Sequence, residues 1–213
     1  MEWKSNKFLG TIIIIATLFT NCSKHRELPV LGPREAVQEM KDGRLSIDTV
    51  YHTIPEFSFT NQDGLIITEQ KFKDRIYIAD FFFTTCPTIC PVMKSQLLRV
   101  YEKYLRQDKV MILSHTIDPV HDSVRVLHEY ANRLDVSSNK WHFVTGAKDS
   151  IYRIAQSYMV SAMEDKNAPG GFIHSGALIL IDKNRHIRGY YDGTKEEKVT
   201  QLLEDIDVLL DEK

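Results

Sequence analysis

Three features of the 213-residue sequence predict an α/β fold with a central mixed β-sheet flanked by helices. Residues 76–83 form a nearly continuous apolar run, as expected of a central strand buried on both faces. Apolar runs and stretches of helical periodicity alternate along the chain from about residue 54. The chain closes with a β-hairpin pattern followed by an amphipathic helix. A βαβ section, then a hairpin, then a last helix is the order of a thioredoxin-like fold, although alternation alone would also fit other α/β sheets.

The elements follow from local patterns. Residues 55–60 alternate like a strand, and Asp63-Gly64 makes a turn into the apolar residues 65–67. After the 76–83 strand, Met93, Leu97, Val100, Tyr101 and Tyr104 recur at helical spacing. Residues 110–115 read as a second buried strand. A helix over about 123–134 carries Leu127, Tyr130, Ala131 and Leu134 on one stripe. A short strand at 141–144 and a short helix at 150–158 complete the alternating part. Residues 177–181 and 187–191 pair around the turn residues Asp182-Lys183-Asn184. The last helix, 196–210, places Val199, Leu202, Leu203, Ile206 and Leu210 on one face.

Composition narrows the function classes. There are 27 Lys+Arg against 29 Asp+Glu, a formal charge of −2, and no block of basic residues, so no nucleic-acid partner is expected. One apolar run approaches spanning length, which excludes a polytopic membrane protein. That run, residues 8–19, follows Lys4 and Lys7 and has the layout of a secretory signal. It ends in Leu18-Phe19-Thr20-Asn21-Cys22, which resembles a bacterial lipobox, with Asn21 where Gly or Ala is usual. The expectation is an exported chain whose residues 1–22 form a lipoprotein-type anchor acylated at Cys22. The chain would face the periplasm or extracytoplasmic space, where disulfides are permitted. Residues 23–53 read as a polar linker, and 54–213 as the domain.

The domain holds two cysteines, in Phe83-Thr84-Thr85-Cys86-Pro87-Thr88-Ile89-Cys90-Pro91, between the central strand and the next helix. Two thiols four residues apart can form a disulfide, exchange one, or bind a metal. A purely stabilising disulfide closes so short a loop that it adds little chain entropy. Pro91 predicts that the regular helix starts there, with Cys90 near the N-cap and Cys86 on a stiff loop. In that position the helix N-terminus is expected to lower the Cys90 pKa. Within one regular helix the two Cβ atoms would stand about 5–6 Å apart, against the ~3.8 Å a disulfide needs. A loop placement lets them approach.

No further cysteine is available for a four-ligand zinc site. Two thiolates and one imidazole suit copper. Of the eight histidines, His174 stands out because it directly precedes the 177–181 strand, whose entry loop packs beside the cysteine loop in a thioredoxin-like fold. His121 is the reserve ligand and His115 reads as a core histidine. On spacing alone, any single histidine is more often structural than a ligand.

These residues resemble the Sco/SenC family of copper-binding, thioredoxin-like cytochrome c oxidase assembly proteins. The cysteine segment is similar to the family's F-T-x-C-P-x-x-C-P. Thr116-Ile117-Asp118-Pro119-Val120-His121-Asp122-Ser123 resembles its V-D-P-x-x-D-T, and Tyr130-Ala131 and residues 141–146 resemble its E-Y-A and W-x-x-L-T-G segments. Ile173-His174-Ser175 is similar to D-H-S/T, with Ile173 in place of an Asp that could support the site. The resemblance implies copper, Cu(I) or Cu(II), held by Cys86, Cys90 and His174. It further implies delivery to the dinuclear copper site of oxidase subunit II, from an upstream copper donor or with a thiol reductant. A thiol–disulfide oxidoreductase using Cys86 and Cys90 is the alternative, and a copper or redox sensor a third reading. Asp122 reads as part of a turn and helix cap.

Overall fold

The computed structural model describes residues 26–41 and 43–212, so the expected signal segment and Cys22 lie outside the described residues. The strands are β1 (Arg34–Lys41), β2 (Arg44–Tyr51), β3 (Ser58–Asn61), β4 (Ile66–Thr68), β5 (Ile76–Phe82), β6 (Val110–Thr116), β7 (Trp141–Thr145), β8 (Ala162–Glu164), β9 (Phe172–His174), β10 (Ala177–Ile181) and β11 (Ile187–Asp192). The helices are α1 (Ile89–Lys103), α2 (Val124–Arg133), α3 (Lys148–Ser157) and α4 (Glu196–Asp211). Seven strands form the main sheet in the order β11-β10-β5-β6-β7-β3-β4. β5, β6 and β7 run parallel; the outer strands are antiparallel, so the sheet is mixed, as the sequence predicts.

Every residue of β5, β6 and β7 is buried. On one face Phe82 and Phe143 meet Tyr130 of α2, with ring centroids 5.4 and 5.5 Å away. On the other face Phe81 stacks on His115 and meets Tyr158, just past α3. Covering both faces is what makes these strands read as apolar runs instead of alternating ones. α4 lies alongside α1, where the Tyr104 hydroxyl donates to Leu203 O and Asp207 Oδ1.

Two hairpins depart from the sequence reading. β1 pairs with β2 within the stretch read as a polar linker, and β8 pairs with β9 between α3 and β10. Both are short or exposed and lack the buried periodicity that marks the main strands. The stretch read as linker is also docked to the domain near both ends, since Leu28 is a core residue and His52 Nε2 lies 2.7 Å from Ser157 O.

Candidate metal centre

The central strand delivers the cysteine loop to one end of the sheet. Cys86 lies in the loop and its N–H donates to Phe83 O at 3.2 Å. Cys90 is the second residue of α1, which begins at Ile89, two residues earlier than Pro91 suggested. Proline lacks only an N–H that the first turn leaves unused, so Pro91 sits inside that turn without breaking it. Both cysteines are thiols, 8% and 2% exposed.

That burial reverses the expected effect of the helix N-terminus on Cys90. Desolvation is the largest influence and pushes its pKa up, and the hydrogen bond with Cys86 adds to it. The Phe83 backbone and the Lys94 charge act in the lowering direction and are outweighed. Burial therefore favours the protonated thiol form of Cys90.

A buried carboxylate anchors the loop. Asp122 is 0% exposed and accepts from Thr84 N at 3.1 Å, Thr84 Oγ1 at 2.5 Å and Thr116 Oγ1 at 2.5 Å. This corrects the reading of Asp122 as a helix cap: the cap of α2 is Ser123, whose Oγ accepts from Val126 N. His121 Nδ1 is 3.0 Å from Asp122 Oδ1, so the reserve ligand stands at the edge of the same cluster. His115 is a core histidine as expected, fully buried, with its pKa pushed down to about 3 by burial.

His174 ends β9, with its backbone opposite Ala162; its side chain lies outside the described part of the structure. The chain on both sides of it touches the cysteine loop. Before it, Phe172 and Phe83 have ring centroids 5.0 Å apart. A Cβ on Gly170 would lie 2.7 Å from Phe83 Cε2 and 3.2 Å from Pro87 Cδ. After it, a Cβ on Gly176 would lie 3.7 Å from Ile89 Cδ1. The backbone thus brings position 174 to the loop that holds both thiols. Ile173 is 41% exposed, and among the described residues no group of three or more His, Cys, Asp or Glu side chains is arranged to hold a metal.

Gly170 also has φ +78°, a left-handed conformation that side chains disfavour. Gly170→Ala is expected to cost about 2–3 kcal/mol, combining roughly 1 kcal/mol of backbone strain with the contact against Phe83. Gly171, at φ +86° but with nothing within 4 Å, supplies the control: Gly171→Ala should cost only the backbone part. Urea denaturation of both variants measures the difference.

Beneath the thiols lies a charged cluster that sequence reading missed. Lys94, one turn after Cys90 and 1% exposed, places Nζ 2.5 Å from Asp80 Oδ2, 3.0 Å from Ser114 Oγ and 4.2 Å from the Phe82 ring centroid. Ser114 in turn donates to Asp80 and accepts from Trp141 Nε1. Cys86, Cys90, Lys94 and Tyr130 line one shared cavity of about 300 Å³.

Residues 46–211 match the SCO1/SenC family. Among solved structures, a SCO1/SenC family lipoprotein from Bacillus anthracis str. Ames superposes with a TM-score of 0.69 at 25% identity, covering 75% of this chain and 95% of that one. BsSco, described as a member of the Sco family of cytochrome c oxidase assembly proteins with a disulfide switch, gives 0.67 at 25% identity, covering 76% and 95%. Copper-bound ScoI of Arabidopsis thaliana gives 0.62 at 25% identity, covering 74% and 98%. With its thioredoxin-like sheet, its paired thiols at the strand-to-helix junction and a family match across most of its length, the chain belongs to the SCO1/SenC family.

Proposed function

We propose that this protein is an exported, membrane-tethered copper chaperone that holds copper through Cys86, Cys90 and His174 and passes it to the dinuclear copper site of cytochrome c oxidase subunit II. The observation that carries this reading is the convergence on one loop: two buried thiols, with Gly170, Phe172 and Gly176, on either side of position 174, packed on the loop that holds them. The donor set fits a soft metal, since two sulfurs and an imidazole favour Cu(I) and also accommodate Cu(II). Copper bound in the relative from Arabidopsis thaliana supports the choice of metal.

The chain's own residues divide the work. Asp122 and Thr84 fix the loop from one side, and Phe172 and Gly170 pack on it from the other. Cys86 and Cys90 release their protons when the metal binds, so affinity rises with pH. The tether is proposed from Lys4, Lys7, the apolar residues 8–19 and Cys22. It is also supported by the lipoprotein relative. No helix among the described residues is long and apolar enough to cross a membrane.

A thiol–disulfide reductase is the second reading, favoured by the two thiols lining one cavity at the strand-to-helix junction. In that reaction the two thiols give up two electrons and two protons as they close their own disulfide, and the partner's disulfide takes them up as two thiols. Copper titration of the reduced full chain separates the readings. Wild type is expected to bind about one tight copper, and Cys86→Ser, Cys90→Ser and His174→Ala to lose it, while His174→Ala still forms the Cys86–Cys90 disulfide. Copper binding indifferent to His174 overturns the chaperone and leaves the reductase.

A further inference from the structure

The N-terminal segment docks at the end of the sheet remote from the thiols. β10 runs antiparallel to β5 with Ile181 opposite Tyr77, so the turn after β10 and the start of β11 lie where β5 begins. The cysteine loop follows the other end of β5. At the remote end Leu31 N donates to Ile187 O at 2.8 Å, and Arg188 donates to Leu28 O and Pro29 O. The returning strand is fixed at the same place, where Ile54 N donates to Arg185 O and His52 N to Pro33 O. The β1–β2 hairpin therefore leaves the domain from the same end at which Leu28, Pro29 and Leu31 dock, close to the start of the described residues.

The two faces of the hairpin differ in charge: every acidic side chain of the two strands lies on one of them. Its register sets Met40 opposite Leu45, Gln38 opposite Ile47 and Ala36 opposite Thr49 on one face. Glu35, Glu39 and Asp48 all fall on the other, with Val37 and the 54% exposed Val50 among them. Met40, Leu45 and Ile47 are 68%, 64% and 68% exposed. A two-stranded hairpin is marginal in water by itself, and a contiguous exposed apolar patch marks a contact surface.

Chain length says what covers it. Six residues, 20–25, separate the apolar run from Arg26, so the docked segment lies within about 25 Å of the end of that run. Each eight-residue strand reaches about 26 Å. We propose that the acid-free face of the β1–β2 hairpin is a lipid-contacting surface that lies in the headgroup boundary of the bilayer holding the N-terminal segment. The cysteine loop then points away from that bilayer toward its partner. This inference rests on the membrane tether proposed above.

The test uses the full chain with Trp3→Phe, reconstituted into phosphatidylcholine vesicles with or without brominated acyl chains. Trp141 is fully buried and gives a constant background. Ile47→Trp reports the proposed lipid face, and Asp48→Trp reports the opposite one. Bromine is expected to quench the Ile47→Trp emission about twofold and leave Asp48→Trp unchanged, because an interfacial face sits only about 5–10 Å deep. Equal quenching of the two reporters, or none, on a chain that survives alkaline washing of the vesicles overturns the lipid face and leaves the tether. A chain released by the wash overturns the tether and the inference with it. A concentration-dependent shift of Ile47→Trp emission without bromine quenching assigns the face to a second copy of the chain and also overturns the inference.

Discussion

Lys94→Met is expected to destabilise the domain by about 3–5 kcal/mol, because it strands the Asp80 carboxylate at 0% exposure with the Ser114 hydroxyl as its remaining donor. Methionine keeps the apolar contact with Phe82, so the loss reads the charge and not the volume. The double variant Asp80→Asn/Lys94→Met should recover most of it, since a neutral amide can still accept from Ser114 without a buried charge to compensate. Urea denaturation of wild type, Lys94→Met, Asp80→Asn and the double variant completes the cycle. A double variant as unstable as the worse single one would show that the cluster acts through shape, not charge. The position gives the pair a functional consequence as well: Lys94 lines the cavity beneath Cys86 and Cys90, and its charge favours the thiolate form of Cys90.

The main sheet was legible because its strands are covered on both faces, so residues 76–83 and 110–115 stand out as apolar runs without any tertiary information. The placement of the two thiols at the strand-to-helix junction, and the packing of the loop before β10 beside them, were legible from the cysteine segment together with the order of elements. Lys94 was not, because a lysine beside Met93 on an amphipathic helix ordinarily faces water; only the partner carboxylate on β5 makes its burial tolerable. The lowered pKa expected for Cys90 failed for a related reason. Helix position can be read from Pro91, but the depth of burial that outweighs it depends on how the loop packs. The β1–β2 hairpin escaped notice because both its faces are exposed, so the stretch has the composition of a linker.

Asp122 carries the second large effect. Read along the sequence it is one residue before a helix, where a carboxylate ordinarily caps. In the fold it closes three hydrogen bonds from Thr84 and Thr116 and so ties the residue two before Cys86 to the end of β6. Asp122→Ala leaves the half-buried Thr84 N–H and hydroxyl and the fully buried Thr116 hydroxyl without this acceptor, a loss of about 2–4 kcal/mol. On the copper-binding function proposed above, it should also weaken copper binding by about 10–100-fold, the usual consequence of losing a group that orients metal ligands. Asp122→Asn keeps the size and one acceptor oxygen, so it should fall between wild type and alanine on both scales. Ser123→Ala separates the two roles: it removes only the cap of α2, at about 1 kcal/mol, and should leave copper affinity unchanged. Urea denaturation and competitive copper titration of the three variants decide the matter. If Ser123→Ala weakens copper binding as much as Asp122→Ala, the effect runs through α2; if only Asp122→Ala does, the buried carboxylate holds the loop in the shape that binds.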